Sequence, residues 1–135
     1  MPSSTTSSET PRVLLVDDSE PMLARVAAVL SPMCTVVATV TDGNSAIAAA
    51  DALHPDVIVL DISMPGMTGF DLARRLRQSG STAALVFLTV HGDDEIVVAA
   101  RALGGVGYVV KPKLASDLPR AIREARAGRS FVSRR

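Results

Sequence analysis

The stretch Val57-Ile58-Val59-Leu60-Asp61-Ile62-Ser63-Met64-Pro65-Gly66 decides how this chain folds. Its four consecutive apolar residues fit a strand buried on both faces, as in a parallel sheet covered by helices. Asp61 then falls at the C-terminal edge of that strand, where open α/β sheets place their chemistry. Three other runs follow the same plan. Val13-Leu14-Leu15-Val16 ends in the carboxylates Asp17 and Asp18. Ala84 to Leu88 ends in the hydroxyl of Thr89, and Tyr108-Val109-Val110 ends in Lys111. Three acids, a hydroxyl and an amine gathered on one rim suit the holding of a metal ion and a phosphoryl group.

The segments between these runs have helical periodicity. Glu20–Leu30 places Met22, Leu23, Val26, Val29 and Leu30 on one face, with Pro21 in the first turn, where no backbone donor is needed. Ser45–Leu53 is alanine-rich and follows the strand Cys34–Val40. Gly69–Gln78 turns Phe70, Ala73 and Leu76 inward, and Asp94–Leu103 carries acids in its first turn. The last helix is expected over Asp117–Ala127, capped by Ser116, with Pro119 in its first turn and Gly128 as its stop. Five strands alternating with five helices predict one α/β domain with a parallel sheet helix-covered on both faces. Residues 1–10 are a polar, low-complexity lead-in expected to be disordered. Residues 11–128 form the domain, and 129–135 are expected to be a tail or linker stub.

Composition sets the outer bounds. A chain of 135 residues with 47% apolar content is long enough for one real core and is not disordered as a whole. No apolar run approaches the ~20 residues of a membrane span, and no secretory signal is evident. Cys34 is the only cysteine, which excludes an internal disulfide and fits a cytoplasmic location. Net charge is zero but uneven. Residues 1–117 carry 8 cations and 13 acids, whereas residues 118–135 carry 6 arginines and one acid. This basic end has a single aromatic, Phe131, and no nucleic-acid motif, so direct nucleic-acid binding by this domain is not expected.

Taken jointly and in order, Asp17-Asp18, Asp61 with Met64-Pro65-Gly66 and Gly69, Thr89, Gly107-Tyr108 and Lys111-Pro112 resemble the receiver domain of two-component response regulators. The resemblance spans about Pro11 to Gly128. It implies a flavodoxin-like, doubly wound (βα)5 fold with strand order 2-1-3-4-5. It also implies a role for each position. Asp61 would be the phosphoacceptor, taking a phosphoryl group from a sensor histidine kinase or phosphotransfer protein. Asp18, Asp61 and the backbone carbonyl of Ser63 would bind Mg²⁺ directly, and Asp17 largely through water. Thr89 would hydrogen-bond the arriving phosphoryl group, Lys111 would pair with it, and Tyr108 would move inward as Thr89 shifts. Ser63 and His91 would tune the lifetime of the phosphoryl group, and the Lys111–Pro112 bond would be cis. Gly105 stands where this family more usually has alanine, which loosens the chain before the fifth strand.

Physical chemistry supports the same grouping. Clustered carboxylates repel and call for a cation, and oxygen ligands with room for water suit Mg²⁺. Phosphoryl transfer asks chiefly for positioning and charge stabilisation. The chain has 12 arginines and only 2 lysines, so a lysine at 111 suggests that a compact ammonium able to change oxygen partners is wanted there.

These features point to a phosphorylation-dependent signalling switch. Such a switch phosphorylates itself from phosphohistidine or small phosphodonors and dephosphorylates itself, without being a turnover enzyme. A phosphate-independent interaction module has no need of the full set of site residues. An aspartyl-phosphate hydrolase wants a second acid two residues after the nucleophile, where Ser63 stands. The turn Asp17-Asp18-Ser19-Glu20 has neither the glycines nor the charge for a dinucleotide. By resemblance, the fourth helix, fifth strand and fifth helix form the face for a downstream partner or a homodimer. Ala127-Gly128-Arg129-Ser130-Phe131-Val132-Ser133 resembles the junction to a helix-turn-helix output domain. A stand-alone receiver is the expectation, with the receiver portion of a DNA-binding regulator as the alternative.

Overall fold

The computed structural model describes residues 10–90, 94–102 and 104–133. Strands and helices alternate as β1 (Arg12–Val16), α1 (Glu20–Leu30), β2 (Thr35–Val40), α2 (Gly43–Leu53), β3 (Val57–Asp61), α3 (Gly69–Gln78), β4 (Ala84–Thr89), α4 (Asp94–Ala102) and β5 (Gly105–Val110). A short 3₁₀ turn (Lys111–Lys113), α5 (Leu114–Arg126) and β6 (Phe131–Val132) complete the chain. All strand pairings are parallel, in the order β2-β1-β3-β4-β5-β6.

Alternation along the central strands builds two cores. Leu14, Ile58, Leu60, Leu85 and Phe87 point to one face and pack under α2, α3 and α4. Val13, Leu15, Val57, Val59, Val86, Leu88 and Val109 point to the other, under α1 and α5. Both sets are buried because a parallel sheet with crossover helices has no wet face. Short polar side chains start the helices. Ser19, Asp42 and Thr68 each accept a backbone N–H in the first turn of α1, α2 and α3. Pro21 sits in the first turn of α1 as expected.

Three expectations need correction. The sheet has six strands, not five. A sixth strand of two residues, Phe131–Val132, pairs with β5 beyond the helix-ending Gly128, and so short a run carries no periodicity to read. Helix α5 begins at Leu114 rather than Asp117. Pro112 seeds the 3₁₀ turn that feeds directly into it, so Pro119 lies in the helix interior, and Ser116 donates back to the Lys113 carbonyl instead of capping. Finally, β5 begins at Gly105, three residues before the start expected at Tyr108.

Gly107 explains that last difference. A Cβ here would lie 2.8 Å from Val86 Cγ2 and 3.0 Å from Cγ1, and Val86 is fully buried. The glycine is therefore a packing requirement of the β4–β5 pair. Gly107→Ala is expected to destabilise the fold by about 1–3 kcal/mol through overpacking. Urea unfolding would measure this as a lowered midpoint with an unchanged slope.

Candidate functional site

The parallel sheet carries Asp17, Asp61, Thr89 and Lys111 to one edge. Asp17 directly follows β1, Asp61 and Thr89 end β3 and β4, and Lys111 follows β5. Register fixes their relative heights, with Asp61 opposite Leu88 and Thr89 opposite Val110. Asp17, Asp61 and Thr89 are buried, with exposures of 2%, 3% and 7%.

Lys111 joins the two buried acids. Its Nζ lies 3.3 Å from Asp61 Oδ1 and 3.5 Å from Asp17 Oδ2. Each acid also closes its own turn. Asp61 Oδ1 accepts the N–H of Ser63 at 3.2 Å, and Asp17 Oδ1 accepts the N–H of Ser19 at 2.9 Å. Both Asp61 contacts thus fall on Oδ1. The third acid, Asp18, is exposed, yet carboxylate oxygens of Asp17, Asp18 and Asp61 all come within 4.8 Å of one another.

This arrangement is electrostatically incomplete. Burial raises the Asp17 carboxyl above its ordinary range, and the neighbouring Asp61 charge raises it further. The Ser19 N–H and Lys111 oppose that shift without cancelling it. One ammonium faces three acids, and buried Asp17 Oδ2 has only the Lys111 ion pair at 3.5 Å and no tighter hydrogen bond among the described residues. A hard cation taking oxygen ligands fits both the donor set and the missing charge.

Gly69 is a positioning element whose role the sequence pattern did not disclose. A Cβ there would sit 2.5 Å from the Asp61 carbonyl oxygen and 2.8 Å from Ile62 Cα. Its N–H donates to the Ile62 carbonyl at 2.8 Å. Only glycine lets the start of α3 press so closely on the backbone that carries Asp61.

The other expected site residues divide. Ser63 is exposed beside Asp61. Tyr108 is 2% exposed and packs in the core beneath α4, so it already occupies an inward position. His91 lies outside the described residues. The expected cis bond at Lys111–Pro112 is corrected: no cis peptide occurs among the described residues. The 3₁₀ turn, closed by the Leu114 N–H on the Lys111 carbonyl, accommodates the intrinsically favoured trans form.

Comparison with known proteins agrees with this geometry. The response regulator receiver domain family matches residues 13–123. The nitrate/nitrite response regulator NarL of Escherichia coli K12 is 34% identical over 130 residues, covering 94% of this chain and 60% of that protein. A crystal structure of a LuxR-family two-component response regulator from Aurantimonas sp. SI85-9A1 superposes with a TM-score of 0.87 at 30% identity, over 92% of this chain and 90% of that one. A structure of the Salmonella typhimurium response regulator RcsB, described by its conformational dynamism for DNA interaction, gives 0.85 at 25% identity, over 92% and 66%. The chain spans from 44% to 60% of the length of the curated relatives it matches. Among the described residues no helix is long and apolar enough to cross a membrane.

The raised Asp17 carboxyl yields a sign that can be checked. The folded state holds this proton more tightly than the unfolded chain does. Asp17's contribution is therefore most favourable below the ordinary carboxylate value and is lost as pH rises through the raised one. In chelator at neutral pH, Asp17→Asn is expected to melt at a higher temperature than the native protein. It is also expected to lose most of the stabilisation that added Mg²⁺ gives the native chain. Calorimetry with and without Mg²⁺ measures both.

Proposed function

The chain belongs to the response regulator receiver domain family, and from that membership we propose that it is a phosphorylation-dependent switch with Asp61 as the phosphoacceptor. The observation that carries this reading is the buried Asp61 carboxylate held 3.3 Å from the Lys111 ammonium, inside a cluster with Asp17 and Asp18. An Asp61 carboxylate oxygen attacks phosphorus, the phosphorus–nitrogen bond of a kinase phosphohistidine breaks, and its electron pair stays on the imidazole. The product is an acyl phosphate.

The site residues serve that transfer in distinct ways. Lys111 offsets charge on the phosphoryl oxygens as they arrive beside Asp61. Thr89, buried at the end of β4, donates its hydroxyl to the phosphoryl group. Asp18, Asp61 and the carbonyl of Ser63 would hold Mg²⁺ directly, and Asp17 largely through water. When bound, that ion neutralises the carboxylates and the incoming phosphoryl oxygens. Ser63 and His91 set how readily water reaches the acyl phosphate. Tyr108 couples the state of Thr89 to the face made by α4, β5 and α5, which serves partner binding or homodimerisation.

The output favoured by the comparisons is a DNA-binding domain following this one. The curated relatives extend well beyond the matched region, and the neighbours include a LuxR-family regulator and one described by its DNA interaction. This reading replaces the stand-alone receiver. The chain's partner on the input side is a sensor histidine kinase or phosphotransfer protein, and its compartment is the cytoplasm.

Incubation with acetyl phosphate and Mg²⁺ followed by intact mass measurement tests the chemistry. One added phosphoryl group is expected on the native protein, and none on Asp61→Ala or on native protein in chelator. A folded native protein that stays unmodified in all samples would refute the switch.

A further inference from the structure

The outer edge of the sheet is not β5, the strand that carries Tyr108, but β6. Phe131 pairs with Gly107 and Val132 with Tyr108. In-register neighbours on adjacent strands share a face, so Val132 lies beside Tyr108 on the α4 side of the sheet. Phe131 falls on the opposite side, packed against the α5 core, with the Arg120 guanidinium 5.3 Å from its ring centre. Tyr108 is 2% exposed, whereas Val132 is 36% exposed. The valine is therefore the exposed edge neighbour that flanks the buried tyrosine.

Ser133 fastens this arrangement. Its N–H donates to the Tyr108 carbonyl at 2.8 Å, and its hydroxyl oxygen accepts the Val110 N–H at 3.2 Å. The same hydroxyl donates to Asp117 Oδ2 at 2.7 Å, and both residues are buried. A hydroxyl-to-carboxylate bond of this kind is among the stronger hydrogen bonds when shielded from water. Through one residue, two bonds to β5 and one to α5 thus tie this segment down beside Tyr108 and Val110. These bonds add to the β5 pairing and to the packing of Phe131, which together hold the two-residue strand.

We propose that Val132 and Ser133 are positioning residues for Tyr108: docked as β6, they close the outer side of β5 and keep the tyrosine ring inside. Release of the segment opens that side and lets the ring move to solvent. The consequence for signalling rests on the functional reading above, in which an inward Tyr108 accompanies the phosphoryl-bound position of Thr89. Docked β6 then favours phosphoryl acceptance, and by thermodynamic reciprocity the acyl phosphate tightens the docking of β6. Whatever segment follows Ser133 would receive the signal through this attachment.

The chain has one tyrosine and no tryptophan, so its intrinsic emission comes from Tyr108 alone. Acrylamide quenching of that emission in the full chain tests the proposal without any phosphorylation. The double variant Val132→Gly with Ser133→Ala is expected to quench several-fold more readily than the native protein. Val132→Ile, which keeps the cover, is expected to quench like the native. A circular dichroism melt confirms that each variant folds, and Ser133→Ala alone replaces the double variant if that one does not. A native-like quenching constant in the folded variant overturns the proposal. Labelling by acetyl phosphate, expected to slow in the same variant, is read separately. A native protein that takes no phosphoryl group would refute the functional reading, while the quenching would still decide the role of β6.

Discussion

Two carboxylates, Asp17 and Asp61, are buried side by side at the edge of the sheet, and their mutual repulsion is the constraint on which the site depends. Burial withdraws water from both groups, and proximity adds the Coulomb penalty. The Lys111 ammonium bridges them at 3.3 and 3.5 Å but brings one positive charge to a cluster of three acids. The site is therefore stable enough to fold and still short of cation. Such a deficit suits a divalent cation, with the ammonium left near Asp61, and the proposed binding and chemistry both start from this imbalance.

The sheet makes that imbalance possible. Parallel strands end on one side, so β1, β3, β4 and β5 deliver their terminal residues to a single edge without long loops. Helices on both faces bury the central strands that carry the site. Local devices then set the acids finely. Asp17 and Asp61 each accept a backbone N–H two residues on, and Gly69 admits the start of α3 against the Asp61 carbonyl. None of these contacts touches a substrate, yet each fixes where a carboxylate oxygen can be. Preorganisation of this sort is what phosphoryl transfer asks of a protein.

Much of this was legible in the residues themselves. Val57–Leu60 followed by Asp61 marked a buried strand with its acid at the edge, and the same grammar held for Val13–Val16 and Ala84–Leu88. What escaped had no period to detect. Phe131–Val132 is too short to alternate, so its pairing with β5 depends on tertiary contacts such as Ser133 with Asp117. Glycines at 105 and 107 put the expected start of the fifth strand at Tyr108. The side chain of Val86, remote in sequence, makes Gly107 a strand residue instead. Resemblance to the family implied a cis bond before Pro112, whereas the local 3₁₀ turn keeps the trans form. For β6 and Gly107, contacts between distant segments decided the outcome, and single-sequence patterns do not carry such contacts.

The central claim is that the group acting at this edge is Asp61 and not one of its two acidic neighbours. Borohydride reduces an aspartyl phosphate to homoserine and leaves ordinary aspartates intact. Treatment of the phosphorylated protein followed by peptide mass mapping therefore locates the acceptor. Homoserine is expected at position 61, with positions 17 and 18 unchanged. Homoserine at 17 or 18, or none at position 61 in protein that has taken up a phosphoryl group, would contradict that assignment.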